Sequence, residues 1–218
     1  MVDNILCENS RMAPVTTPTR TYRGVPQDER RAQRRSQLVA AGVSVYGERG
    51  YRHATVKAVC EAAGLTERYF YESFANSEEL LIACFDTVTG SVMAQIAEAA
   101  RLAGRGRVAR ARAMLHTYFA ALQREPRSAR VFLVEIRGVS REVDKAFDGA
   151  LRAIGSEVAR MVAPPDAASD PLLQAGIVGG VIHIALRWIE DGYEPSIETV
   201  TDSALRLGMV LARPPRAV

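Results

Sequence analysis

Residues 50–80, GYRHATVKAVCEAAGLTERYFYESFANSEEL, constrain this chain more than any other stretch. They read as two short helices about a glycine turn, with a third helix close behind. Thr55 opens the first, where a hydroxyl can cap the free backbone N–H groups of the following turn. Val56, Val59, Cys60 and Ala63 then recur at the spacing of one buried helix face. Gly64 supplies the left-handed backbone that ends a helix cheaply, and Thr66 restarts the chain as a second N-cap. Phe70 and Phe74 fall four residues apart and predict a buried face on the second helix. Its other face carries Glu67, Arg68, Tyr69, Tyr71 and Ser73. Asn76 with Glu79 makes a capping-box-like start for the helix that follows. A short amphipathic helix behind a glycine turn, with Arg and Tyr outward, has the layout of a helix-turn-helix recognition element.

The residues also carry a specific resemblance. Leu38, Ala41, Val45 and Tyr46 form an apolar first helix. After it come Gly50-Tyr51, Thr55-Val56, Ala63-Gly64-Leu65-Thr66, Phe70-Tyr71, Phe74 and Glu78-x-Leu80. In order and spacing this resembles the DNA-binding domain of the TetR family of bacterial transcriptional regulators. The likeness covers residues 30–85 or so. Two positions depart from the family pattern. Ser77 stands where the family usually has a phosphate-contacting Lys, and Ser73 where His is common.

Charge distribution agrees with a DNA-facing end. Residues 20–77 hold ten Lys/Arg against six Asp/Glu, an excess larger than the +3 of the whole chain. A basic domain on a near-neutral body suits one-ended contact with nucleic acid, although a solvated surface has the same composition. The three cysteines, Cys7, Cys60 and Cys84, lack paired spacing. Cys60 and Cys84 read as buried thiols, and a reduced cytoplasm as the compartment. The N-terminus lacks a basic-then-apolar signal pattern. Residues 172–189 approach the length of a membrane span. Gln174, His183 and Arg187 within them, and the lack of a second candidate, favour a buried helix. No membrane association is expected.

Beyond residue 80 the periodicity is helical throughout. Helices are expected over 28–48, from Asn76 to about Leu102, and over 107–124, 127–137, 140–162, 170–191 and 196–212. Pro126, Gly138, Pro164-Pro165, Pro171, Pro195 and Pro214-Pro215 punctuate them. The fold class is therefore all-α, with three small helices in front and six longer ones behind. The expected division is a flexible arm over 1–25, a helix-turn-helix domain over 26–80, and a helical effector-binding and dimerisation domain over 81–213. Gly104-Arg105-Gly106 is a turn, not a phosphate loop, because no Walker or dinucleotide pattern follows it. No G-x-S-x-G, H-E-x-x-H or C-x-x-C occurs, and His53, His116 and His183 lie far apart. An enzyme is not expected, and neither a cofactor nor a metal is called for.

What the resemblance implies is more detailed. Arg68 and Tyr69 would lie near base edges and Tyr71 at a phosphate. Thr55 and Lys57 would hold the backbone, with Thr66 and Ser77 completing the DNA-contacting set. Arg is suited to this work because it can donate two bonds to one guanine edge. The resemblance further implies a small-molecule pocket among the rear helices. Each polar residue there is individually more in keeping with a satisfied core or surface group than with a ligand contact. His116, Glu135, His183 and Trp188 are the candidates for lining, as directional polar groups on apolar helices. Gly176, Gly179 and Gly180, with an Ile197–Val200–Ala204–Gly208–Leu211 stripe, suit close helix packing. Ordinary intrachain packing would explain them equally, but the resemblance favours a homodimer interface. The expected function is a regulator, most simply a repressor, that binds a palindromic operator in double-stranded DNA as a homodimer. A small apolar or amphipathic ligand, not yet identified, would release it. The other reading is an all-α ligand-binding or protein-interaction module that does not read DNA specifically.

Overall fold

A computed structural model describes residues 27–162 and 170–211. The expected arm over 1–25, Cys7 and the proline pairs at 164–165 and 214–215 lie outside the described residues. Among the described residues nine α-helices follow one another and no strand occurs. They are α1 (Gln27–Arg49), α2 (Val56–Ala63), α3 (Glu67–Tyr71), α4 (Ser77–Leu102), α5 (Arg107–Arg124), α6 (Pro126–Arg130), α7 (Arg141–Val162), α8 (Pro171–Glu190) and α9 (Ile197–Leu211). A 3₁₀ turn, Tyr51–His53, precedes α2. The expected all-α class and the order of the helices hold.

Local chemistry explains the front of the molecule. Leu38, Ala41, Gly42, Val45 and Tyr46 bury one stripe of α1. The Thr55 hydroxyl caps α2 by accepting from the Ala58 N–H at 3.1 Å. Gly64 closes α2 with φ of 66°, a left-handed conformation that an L side chain enters only at a cost. Asn76 caps α4 by accepting from Glu79 N–H at 2.9 Å, while the Glu79 carboxylate reaches back to Ala75 N–H at 2.7 Å.

Three expectations need correction here. Thr66 occupies the N-cap of α3, but its side chain makes no cap hydrogen bond. Phe74 is buried as expected, yet α3 ends at Tyr71, and Phe74 is brought inward by a turn in which its N–H donates to Phe70 C=O at 2.8 Å. The helix expected over 127–137 is two pieces. α6 stops at Arg130 and the chain widens into a π-helical turn, Val131–Glu135. Val131, Phe132 and Leu133 are all buried.

One apolar cluster runs from Leu38 through Phe70, Leu80 and Phe119 to Ala204, so the front and rear helices share a continuous core. α4 crosses the expected boundary at residue 80 without interruption. α1 meets α6 at Gly47, where an added Cβ would lie 2.5 Å from the Arg127 carbonyl oxygen. Only glycine permits that approach. In the rear, α4 packs on α5 and α7, α5 on α9, and α8 on both α7 and α9. Val200 and Ala204 of the expected α9 stripe point into this intrachain core. Gly180 belongs to it too, because a Cβ there would meet Leu207 at 2.7 Å. α4 as well as α8 is long and apolar enough to cross a membrane by length and composition, which corrects the expectation of a single such segment. In this fold both are packed against other helices of the bundle.

Candidate DNA-binding face and apolar cavity

The expected DNA-contacting residues lie at the start of α2, along α3 and, for Ser77, at the start of α4. Thr55, Lys57, Thr66, Arg68 and Tyr71 are exposed, while Tyr69 and Ser77 are half-buried. The Arg68 side chain is 85% exposed and Tyr71, although aromatic, is 60% exposed. Phe70 lies directly beneath with no exposure at all. Lys57 faces Glu61 at 3.9 Å, a solvent-bathed pair that leaves the ammonium free to move.

Arginines of α1 set the position of α3. Arg31 donates to the Glu72 carbonyl and Arg35 to the Ser73 carbonyl, both at 2.8 Å. These are the orphan acceptors at the end of a short helix, where cations are favoured. The Arg35 guanidinium also lies 4.2 Å from the Phe74 ring centre, and that of Arg34 4.4 Å from Tyr69. The Glu72 carboxylate stands between Arg34 at 3.7 Å and Arg68 at 3.1 Å. Part of the basic excess of this region therefore orients the recognition helix. Charge counting along the sequence missed that role because it depends on an approach of α1 to residues some 40 positions later.

The rear helices enclose a cavity of about 690 Å³. Its walls are largely aliphatic, with Val92, Met93 and Ile96 of α4, Met114 of α5, Val158 of α7 and Ile177 and Val181 of α8 among them. Phe132, from the π-helical turn, lines it as well. Polar groups are few: Thr89, Tyr118 and Gln174, with charged Arg107 and Asp170. The hydroxyls of Thr89 and Tyr118 are buried and have no hydrogen-bond partner among the described residues. Burial pushes the Tyr118 phenol well above its ordinary pKa. A cavity of this size and lining is suited to a small, mostly apolar molecule.

None of His116, Glu135, His183 and Trp188 lines this cavity. His116 and His183 are exposed. Trp188 is buried, but its indole N–H donates to the Pro195 carbonyl at 2.6 Å and its ring packs edge-on against Phe119 and Tyr193. Glu135 accepts from the Tyr51 backbone N–H and from Arg130, so it ties the front helices to the rear ones. Tyr118 lines the cavity, a role that the helical period of α5 does not separate from ordinary core packing. No group of three or more His, Cys, Asp or Glu side chains suited to a metal ion occurs among the described residues.

Comparison with known proteins agrees with this geometry. Residues 38–84 match the family model described as "Bacterial regulatory proteins, tetR family". No match was found among curated proteins. Among solved structures, the fatty acid degradation regulator FadR from Bacillus halodurans superposes with a TM-score of 0.69 at 19% identity, covering 85% of this chain and 97% of that one. FadR from Bacillus subtilis, solved in complex with stearoyl-CoA, gives 0.65 at 19% identity over 82% of this chain and 99% of its own. A TetR-family transcriptional regulator from Rhodococcus sp. gives 0.66 at 22% identity, covering 84% and 100%. The fold and its exposed helix-turn-helix are those of a DNA-binding transcriptional regulator. The match to that family model is confined to residues 38–84, and the chain as a whole shares the fold of these solved regulators.

Proposed function

We propose that the protein is a transcriptional repressor that binds a palindromic operator as a homodimer and leaves it when a small, largely apolar or amphipathic molecule binds. The observation that carries this reading is that one helix serves both sites. α4 begins just after α3, with Leu80 and Leu81 locked in the shared core, and its later turns supply Thr89, Val92, Met93 and Ile96 to the cavity wall. A ligand that favours a wider cavity would move α4 and, with it, the recognition helix. The stearoyl-CoA held by the Bacillus subtilis regulator supports a long-chain ligand as the kind of molecule such a fold accepts.

Arg68 and Tyr69 are assigned to base edges and Thr55, Lys57, Thr66, Tyr71 and Ser77 to the backbone. The exposure of most of these groups on one face supports that assignment. The dimer would use the outer face of α8. Leu172 there is 85% exposed, and a Cβ added at Gly176 or Gly179 would meet nothing within 4 Å. Small residues on an apolar, open helix face admit the close approach of a second helix. The division of labour follows the expected boundaries, with DNA read by residues 26–80 and effector and partner bound by 81–213, in the cytoplasm.

Selection of bound sequences from random duplex DNA tests the reading, followed by footprinting of the enriched site. A two-fold protected site with half-sites roughly 34–36 Å apart is expected, with affinity falling steeply as salt rises. Binding without sequence preference would favour the interaction-module reading. For any effector found, linkage requires operator DNA to weaken ligand binding by the factor by which the ligand weakens DNA binding.

A further inference from the structure

We propose that Glu72 determines operator specificity as a positioning residue. Its carboxylate, bracketed by Arg34 and Arg68, presents the Arg68 guanidinium end-on to a base pair, while its charge lowers affinity for DNA of any sequence. This inference rests on the assignment of Arg68 to a base edge and adds a residue that the DNA-contacting set does not contain. Glu72 directly follows α3, as its C-cap. Helix physics gives little reason for an acid there. The carbonyls at a helix end favour cations, and an Arg four residues before a Glu is the weaker order of such a pair. An acid on the face assigned to DNA also opposes phosphate binding. What Glu72 touches explains its place.

Glu72 Oε1 accepts from Arg68 Nε at 3.1 Å, and Oε2 lies 3.7 Å from a terminal nitrogen of Arg34. The same Arg34 guanidinium stands 4.4 Å from the Tyr69 ring centre. The Glu72 main chain is held too, since its carbonyl accepts from Arg31 at 2.8 Å. Arg31 and Arg34 belong to α1, so the anchor of this group is a different helix from the one that reads DNA. The Glu72 side chain is 37% exposed against 85% for Arg68, which makes the carboxylate the fixed member of the pair. Because Arg68 is held by its Nε, its two terminal amino groups keep no hydrogen-bond partner among the described residues. Those two donors fit the paired acceptors of a guanine edge. A free arginine loses rotamer freedom on meeting any partner, whereas one ordered beforehand loses less, and gains only where the matching edge lies opposite it. Phosphates accept arginine without regard to sequence, so the effect falls on discrimination.

Titration of the full chain with two fluorescent duplexes tests this: the sequence that wild type enriches from a random pool, and the unselected pool itself. Wild type is compared with Glu72→Ala, Glu72→Gln, Arg68→Ala and the Glu72→Ala/Arg68→Ala double variant. Glu72→Ala is expected to bind the unselected pool at least as tightly as wild type, because one negative charge has gone. Its preference for the selected sequence should fall by about two- to fivefold, the scale of an exposed ion pair. Single-base changes across the half-site should show the preference relaxing at the same base pair in Glu72→Ala and in Arg68→Ala. Once Arg68 is alanine, Glu72→Ala should cause no further loss, since Glu72 acts through Arg68. Equal changes on both duplexes would reduce Glu72 to a repulsive charge and overturn the proposal. An undiminished loss of preference in the Arg68→Ala background would overturn it too. If Arg68→Ala itself leaves the preference intact, the assignment of Arg68 to a base edge fails, and the proposal with it. Should Glu72→Ala melt early, Glu72→Gln decides. It keeps the shape and a weaker acceptor, and a preference equal to wild type would overturn the proposal.

Discussion

The Glu135 carboxylate accepts a 2.6 Å hydrogen bond from the Tyr51 backbone N–H, across 84 residues of sequence. The same carboxylate receives the Arg130 guanidinium at 2.7 Å, and Arg130 in turn donates to the Glu48 carbonyl at 3.3 Å. Tyr51 begins the 3₁₀ turn that leads into α2, whereas Glu135 ends the π-helical turn that gives Phe132 to the cavity. A polar link thus joins the wall of the cavity to the entrance of the DNA-binding unit.

Removing this link should loosen the two parts. Glu135→Ala is expected to cost about 1.5–3 kcal/mol of stability, the usual worth of hydrogen bonds to a charged group. Glu135→Gln retains an acceptor for Tyr51 and should cost less. Urea denaturation ranks the two, and DNA titration with and without an effector reads whether coupling falls as well. A stability of Glu135→Ala equal to wild type would show that water replaces the carboxylate freely.

Neighbouring residues on α3 should separate binding from folding. Arg68→Ala removes an exposed group whose one ion pair, to Glu72, is solvent-bathed. It is expected to cost about 1–3 kcal/mol of specific DNA binding with an unchanged melting temperature. Phe70→Ala empties a fully buried position and should cost about 3–5 kcal/mol of stability. Parallel thermal melts and operator titrations measure both. A melting temperature lowered by Arg68→Ala but not by Phe70→Ala would reverse the assigned faces.

Glycines on different helices should fail in different ways. Gly47→Ala drives a methyl into the Arg127 backbone and is expected to destabilise the fold by about 1–3 kcal/mol. A Cβ at Gly176 meets nothing within 4 Å, so each protomer of Gly176→Leu should fold normally. If α8 forms the dimer interface, this variant should elute as a monomer and lose operator affinity. Light scattering with size-exclusion chromatography decides, and an unaltered dimer would move the interface elsewhere.

Alkaline pH should erode stability in a defined window. Burial pushes the Cys84 thiol from 9.0 up to about 12, while its Sγ donates to the Val39 carbonyl at 3.4 Å. The unfolded chain loses that proton first, so the contribution is complete below about pH 9 and is lost as pH rises toward 12. Burial raises Tyr46 and Tyr118 in the same direction. Denaturation midpoints measured from pH 7 to 11 should fall above pH 9. With little thiolate present, Cys84 should also resist alkylation at pH 8 until the protein is unfolded.

The helices themselves were legible because each announces itself locally. Thr55, Gly64 and Asn76 act within one turn of their own position, and Val59, Cys60 and Phe70 bury at helical spacing. The helix-turn-helix could be named from 31 residues for the same reason. The π-helical turn was not legible, since the apolar run Val131–Val134 reads equally well as ordinary α-helix.

Sequence by itself determined the all-helical class, the order of the helices and the place of the recognition element, because capping, glycine turns and apolar period are short-range physics. Only the tertiary structure decided what each polar side chain faces. Glu135 has a partner 84 residues away and Trp188 one across a turn, whereas Tyr118 and Thr89 have none among the described residues. Along the chain these residues look alike, as isolated polar groups on apolar helices. Hydrogen bonds and cavities are set by groups brought together from different helices, so a site can be placed only after the helices have packed.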